Sequence, residues 1–145
     1  MSNVTNYLGP AEIAAYQLRA QQAETAANRA LANLTTQKSY ATQDFGLTQD
    51  QANRNWAQTY HQLPGAFARR NVMRSGIFQA ARQNSAQTFQ DALANLQRQY
   101  ERTMGGYNTQ AGDIESIRNM TLQQIEAERL ARQEQLAAQL RDVTA

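Results

Sequence analysis

The chain has 145 residues, the length of one domain, and a formal net charge of only +2. Leu, Ile, Val and Phe together supply 24 residues, which is below the share typical of packed cores. Alanine supplies 25 residues and glutamine 21, whereas eight residues are Val or Ile and two are Pro. Alanine and glutamine favour helix, so the composition excludes an all-β or doubly wound α/β fold and predicts an all-α protein.

The composition also removes several classes of function. No cysteine is present, which excludes disulfides, iron–sulfur sites and a thiol nucleophile. His61 is the single histidine and cannot form a multi-histidine metal site. No apolar run is long enough to span a bilayer, and the first residues lack the pattern of a secretory signal, so we expect neither.

The predicted elements follow from the helix breakers. Pro10 suits a first helical turn and Pro64 ends the helix that begins there. The remaining breakers are Gly46, at which the first helix is either continuous or kinked, and then Gly76, the pair Gly105 and Gly106, and Gly112. One helical domain, 1–145, is predicted with a long helix over about 11–62, a turn over about 63–76, a helix over about 77–103, a loop over about 104–112 and a helix over about 113–142. Two chain reversals give an up–down–up arrangement.

The first predicted helix carries apolar or small residues with heptad spacing, the pattern of a coiled-coil seam. The predicted seam consists of Ile13, Tyr16, Ala20, Ala23, Ala27, Ala30 and Leu34. Alanine buries little area in each turn, so this seam is narrow. We therefore expect elongated helical hairpins, or a coiled-coil bundle, completed by homo-oligomerisation. Arg129 and Arg132 fall on the apolar stripe of the last helix, either as rim residues or as polar layers of an oligomer.

Catalysis is not expected. The twelve carboxylates are scattered along the chain, and Glu126 and Glu128 point to different faces of a helix. Asp113 is better explained as a helix N-cap than as an acid catalyst. Trp56 and Tyr60 lie one turn apart, either as an interface anchor or as a contact inside the bundle. No cofactor or metal is predicted.

The segment around the middle turn carries a family resemblance. A helix ends in Leu63-Pro64, a small and aromatic turn with arginines follows, and Ser75-Gly76-Ile77 leads into a helix rich in Gln, Arg and Leu. This segment, with its flanks over about 56–107, resembles small helical structural proteins of tailed bacteriophages. Asn71-Val72 stands where such proteins often have Gly-Leu, which is a departure from their pattern.

The resemblance implies a virion component near the tail or the head–tail junction, assembled in the cytoplasm of the host bacterium. Its expected partners are further copies of itself and other structural proteins of the virion. The middle turn would then dock on a neighbouring virion protein. The docking residues would be Pro64, Gly65, Phe67, Arg69, Arg70, Arg74 and Gly76.

Two alternatives remain open. The first is an internal virion protein that is ejected with DNA and binds it through the arginine cluster Arg69, Arg70, Arg74 and Arg82. DNA is a weak candidate partner, because a net charge of +2 provides little electrostatic attraction. The second alternative is a cytoplasmic coiled-coil adaptor. Membrane-surface binding is not expected, since an alanine seam opposite Gln and Asn inserts poorly into lipid.

Overall fold

A computed structural model describes residues 7–69 and 76–144, and it contains two long helices packed together as a hairpin. Helix α1 is Pro10–Arg69 and helix α2 is Gly76–Thr144. The described residues contain no strand. The all-α prediction is therefore confirmed.

The start of α1 follows from local sequence. Pro10 occupies the first helical position, where its missing N–H leaves no helical bond unmade. The N–H of Ile13 donates to the carbonyl of Gly9 at 3.0 Å and closes the first turn. Leu8 is buried and stands at the spacing from Ile13 that a hydrophobic staple requires. Glu12 lies in the first turn, where a carboxylate is favoured by the helix dipole.

The predicted end of the first helix is wrong. Helix α1 continues through Pro64 to Arg69, so the turn does not begin at residue 63. Pro64 lacks an N–H and cannot donate to the carbonyl of Tyr60. The apolar face nevertheless continues in phase across the proline, from Leu63 to Phe67, and Phe67 packs against Phe78 of α2. This packing offsets the lost helical bond.

The predicted loop over 104–112 is also wrong, and with it the up–down–up arrangement. Helix α2 runs unbroken through Gly105, Gly106 and Gly112. Each glycine costs a helix about 1 kcal/mol relative to alanine, an amount that tertiary packing can overcome. Met104, Tyr107 and Ala111 keep the half-buried face in phase across the glycines. The separately predicted helices over 77–103 and 113–142 are therefore one helix.

The hairpin divides into two compact units. The terminal unit comprises Met1–Leu34 with Thr109–Ala145, and the central unit comprises Thr35–Asn108. In each unit a segment of α1 lies antiparallel to a segment of α2. The terminal unit shows this in the pairs Arg19–Glu128 and Glu12–Arg132. The central unit shows it in three pairs of aromatic rings.

The core is thin. Its buried apolar residues are Leu8, Ala27, Leu34, Phe78 and Ile125. Within residues 7–69 and 76–144 no side chain is fully buried. The chain exposes 10932 Å² of accessible surface. A compact monomer of 16.3 kDa exposes about 7500 Å², so this fold leaves far more surface in solvent.

Candidate functional site

Three cross-helix pairs of aromatic rings form the seam of the central unit. The ring centroids are 4.4 Å apart in the pair Phe45–Tyr100 and 4.9 Å apart in the pair Trp56–Phe89. The third pair, Phe67–Phe78, meets edge to face at 5.3 Å. Such offset and edge contacts stabilise aromatic pairs beyond the area they bury. We call these three pairs the aromatic ladder.

The ladder has an 11-residue period on both helices. Phe45, Trp56 and Phe67 are 11 residues apart, and so are Phe78, Phe89 and Tyr100. Eleven residues correspond to three helical turns at 3.67 residues per turn. Residues at this spacing therefore stay on the same face of each helix, and that face remains turned toward the other helix. An 11-residue period predicts a right-handed supercoil for this unit. Heptad reasoning missed it, although the spacing of the aromatic residues could have revealed it.

Polar contacts flank the ladder. The hydroxyl groups of Thr42 and Tyr100 share a hydrogen bond of 2.9 Å. Lys38 Nζ donates to Asn108 Oδ1 at 2.7 Å. An open groove of about 440 Å³ lies beside the Phe45–Tyr100 pair, and exposed Tyr40 contributes to its wall. These contacts fix the register of the two helices around the rings.

The seam predicted from the heptads lies on the half-buried face of α1 in the terminal unit. Ala27 and Leu34 are buried, and the other five members are half-buried. Ile13, Tyr16 and Ala20 line a groove of about 500 Å³ with residues of α2 that include Ile125. The seam is thus occupied by the chain's own second helix.

Small seam residues leave an apolar groove on one side of the terminal unit. The groove has a volume of about 350 Å³ and is lined by alanines of α1 and isoleucines of α2. These residues are Ala23, Ala26, Ala30, Ile114 and Ile117. Ile117 is 64% exposed and Met120, one turn away, is 67% exposed. The unit therefore presents bulky apolar side chains to solvent beside a groove.

Ion pairs cross and flank the seam of the terminal unit. Arg19 Nη1 lies 2.7 Å from Glu128 Oε2, and Arg132 Nη2 lies 3.6 Å from Glu12 Oε1. All four side chains are substantially exposed, so these pairs contribute little to stability but help to set the register. The position of Arg132 is therefore explained within a single chain.

Arg129 forms a second kind of pair, within α2. Its guanidinium binds Glu126 through Nε and Nη2 and also donates to Gln133 at 3.4 Å. The hydrogen bond from Arg129 holds the pKa of Glu126 below its usual range. The same bond raises the pKa of Arg129. Gln133 is buried, so this cluster places polar groups at the edge of the seam.

The side chains of Trp56 and Tyr60 are half-buried, so each contacts the other helix and also remains partly exposed to solvent. Their rings stack at 5.1 Å, and Trp56 also stacks on Phe89 of the ladder. Arg82 of α2 donates to the hydroxyl of Tyr60 and places its guanidinium 5.1 Å from the centre of that ring. His61 meets Tyr60 edge to face and is otherwise exposed.

The predicted docking turn is only partly described. Pro64, Gly65, Phe67 and Arg69 belong to α1 rather than to a turn, and Gly76 is the first residue of α2. Arg70 and Arg74 lie outside the described residues. Phe67 is half-buried against Phe78, so it stabilises the hairpin.

The described part of the chain contains neither a metal-ligand cluster nor an apolar helical span. Within residues 7–69 and 76–144, no group of three or more His, Asp or Glu side chains lies close enough to hold a metal ion. Neither described helix has a segment long and apolar enough to cross a membrane. Comparisons with protein-family models, with curated proteins and with solved structures found no match.

Proposed function

We propose that this chain is a structural assembly subunit, a homo-oligomeric helical component of a tailed-phage virion in its tail, needle or head–tail connector. The observation that carries the proposal is the thin core, in which no described side chain is fully buried. Ordering a residue costs about 1–2 kcal/mol, and a seam of alanines returns little of that cost. Association with further copies adds the missing burial.

The exposed area is large enough for such association. The surface of 10932 Å² exceeds that of a compact monomer of this mass by about 3400 Å². A stable interface of standard size buries about 800 Å² on each partner. Several interfaces can therefore form on one chain, as a repeated building block requires.

The placement in a virion rests on the resemblance of the segment around Leu63-Pro64 and Ser75-Gly76-Ile77 to tailed-phage structural proteins. Other virion proteins are the proposed neighbours, and the role involves neither catalysis nor a cofactor. A virion component should be found in purified particles at a fixed copy number. A cytoplasmic adaptor should remain in the lysate of infected cells and be absent from particles.

Sedimentation equilibrium of the full chain tests self-association. We expect a defined multimer of the 16.3 kDa chain. Replacing Ile117 and Met120 by Glu should lower the assembled mass, because these side chains are apolar and exposed. The matched control replaces exposed Gln21 and Asn28 by Glu, which adds the same charge at polar positions. A monomeric wild-type chain would refute the proposal.

A further inference from the structure

Charged residues are segregated along this chain. Residues 51–90 contain five arginines and His61 but no Asp or Glu, and the nearest carboxylates on either side are Asp50 and Asp91. All twelve carboxylates lie outside this segment, together with the other nine basic residues. The small net charge of the whole chain therefore conceals a strongly basic region. Its arginines are Arg54, Arg69, Arg70, Arg74 and Arg82.

The described arginines of this region have no carboxylate partner. Arg54, Arg69 and Arg82 are exposed, and none of them forms an ion pair within residues 7–69 and 76–144. In the terminal unit, by contrast, Arg19 and Arg132 are each paired with a glutamate of the other helix. The basic charge of the central unit is thus available to a ligand.

Arg82 borders an open groove of about 480 Å³. The groove is lined by Trp56, Tyr60, Gln79, Arg82, Gln83 and Ala86. The guanidinium of Arg82 is held over the rings of Tyr60 and Phe78, at 5.1 and 5.7 Å from their centres. A guanidinium held this way loses less side-chain entropy when it binds an anion. Gln79 and Gln83 of α2 add amide hydrogen-bond donors on the same wall as Arg82, and Trp56 and Tyr60 of α1 form the opposite wall.

We propose that the described arginines of this region, Arg54, Arg69 and Arg82, bind the phosphate backbone of nucleic acid, with the groove beside Arg82 as the one structured pocket among these contacts. Guanidinium groups match phosphate geometry and remain charged at every physiological pH. Arginines spread over many residues fit an extended chain of phosphates better than a single small anion. Two half-buried aromatic side chains, Trp56 and Tyr60, also line the groove, and aromatic side chains commonly contact the sugars and bases of nucleic acids. This binding does not depend on the assembly role.

We expect nucleic acid to contact the ring of Trp56 but not its indole N–H. Its indole Nε1 is buried and meets no hydrogen-bond acceptor in the described part of the chain, so a bulky ligand cannot reach that atom directly. Trp56 is also the single tryptophan of the protein, which makes its fluorescence a reporter for this groove. A ligand bound in the groove should change that signal.

Titration of the full chain with DNA tests the proposal. A 30-nucleotide single strand and a 30-base-pair duplex are added separately, and binding is followed by Trp56 fluorescence at several NaCl concentrations. Each phosphate contact contributes a slope of about −0.9 in a plot of log affinity against log salt for duplex DNA. Three arginine contacts therefore predict about a 40-fold loss of affinity between 50 and 200 mM NaCl.

Two charge-matched variants locate the binding site. Arg54→Gln/Arg69→Gln/Arg82→Gln should lower the affinity at 50 mM NaCl at least tenfold and flatten the salt slope by about 2.7. Arg29→Gln/Arg118→Gln/Arg141→Gln removes the same charge from the terminal unit and should change the affinity less than threefold. If the loss of Arg82 disturbs folding, the double variant Arg54→Gln/Arg69→Gln still tests the proposal, because both side chains are exposed and neither is placed over an aromatic ring in the described part of the chain. Circular dichroism monitors the fold of each variant.

Each outcome decides for or against the proposal. Binding of either DNA form, with a change in Trp56 fluorescence and a selective loss in the first variant, supports it, and the two forms show which nucleic acid the surface prefers. Equal losses of DNA affinity in the two triple variants would overturn the proposal, because the attraction to DNA would then come from the charge of the whole chain. Binding of inorganic polyphosphate without binding of DNA, or retention only by an acidic protein, would overturn the assignment to nucleic acid.

Discussion

The rings of Trp56 and Phe89 stack across the hairpin with their centroids 4.9 Å apart and an interplanar angle of 22°. The pairs Phe45–Tyr100 and Phe67–Phe78 lie one 11-residue step away on either side. The same step on two antiparallel helices keeps every pair in register. The aromatic ladder therefore concentrates much of the apolar packing of the central unit in six side chains.

Replacing one ring of the aromatic ladder by alanine should destabilise the protein. We expect Trp56→Ala or Phe89→Ala to lower the free energy of unfolding by about 2–3 kcal/mol, less than for a fully buried ring because both residues are half-buried. The double variant should show a coupling of about 0.5–1.5 kcal/mol. Urea denaturation measures these values. The exposed Gln58→Ala serves as the control and should change stability by less than about 0.5 kcal/mol.

The 11-residue period predicts which equal deletions from α1 and α2 preserve the ring pairs. Removing residues 46–56 from α1 and 79–89 from α2 deletes one full repeat from each helix and leaves Phe45–Tyr100 and Phe67–Phe78 in register. This shortened chain should remain cooperatively folded. Removing nine residues from each helix rotates the following faces by half a turn and should abolish cooperative melting. Equal behaviour of the two deletions in thermal melts would show that the period does not set the register.

The glycines of α2 provide a test of its continuity. A Cβ at Gly105 or Gly106 would meet no atom within 4 Å, and neither residue has the positive φ that favours glycine. Each substitution by alanine should therefore stabilise the protein by about 1 kcal/mol, since alanine is the better helix former. A loop at this position would give no such gain. Thermal unfolding of the single and double variants separates the two cases.

Gly76 should also accept alanine. As the first residue of α2 it lacks a positive φ, and a Cβ there would lie in open space. We expect Gly76→Ala to leave the melting temperature unchanged or to raise it slightly, because alanine is the better helix former at a helical position. A drop of several degrees would point to a conformation at this position that only glycine allows.

The Glu126–Arg129 pair predicts a dependence on acid pH. Because the hydrogen bond from Arg129 lowers the pKa of Glu126 in the folded chain, the stabilisation is present above the unfolded-state value near 4.5. It is lost as the pH falls through the lower folded-state pKa. Glu126→Gln should therefore lose less stability than the wild type between pH 6 and pH 3. The difference should be small, since Glu126 is exposed.

A control variant isolates this pair from general acid effects. Glu134 is exposed and has no cationic partner within residues 7–69 and 76–144. Glu134→Gln should follow the wild-type pH profile in thermal melts. If Glu126→Gln and Glu134→Gln gave the same profile, the pair would have no specific role.

The sequence predicts the all-α class and one seam, but it predicts neither the two-helix hairpin nor the register between its helices. Heptads placed Ile13, Ala20 and Leu34 on one face, and all three lie on the half-buried side of α1. Pro64 and Gly106 do not end a helix, because the free energy lost with one helical hydrogen bond, or through the flexibility of glycine, is smaller than that gained by packing a continuous face. Which residue of α1 faces which residue of α2 depends on the sequences of both helices.

The candidate surfaces were less predictable than the fold. The sequence alone places Arg82 in a basic cluster, but its position over the ring of Tyr60 requires α2 to return alongside α1. The apolar groove beside Ile117 likewise depends on which alanines of α1 face it. Spacing along one helix gives the face on which a residue lies. It does not give the residue opposite.

Self-association of the full chain is measured by its melting temperature and its mass over a hundredfold range of protein concentration. Burial in an assembly stabilises the folded state by mass action, so the melting temperature should rise with concentration. The mass should match a defined multimer of the 16.3 kDa chain. A fully helical monomer whose melting temperature is the same at every concentration would contradict the account.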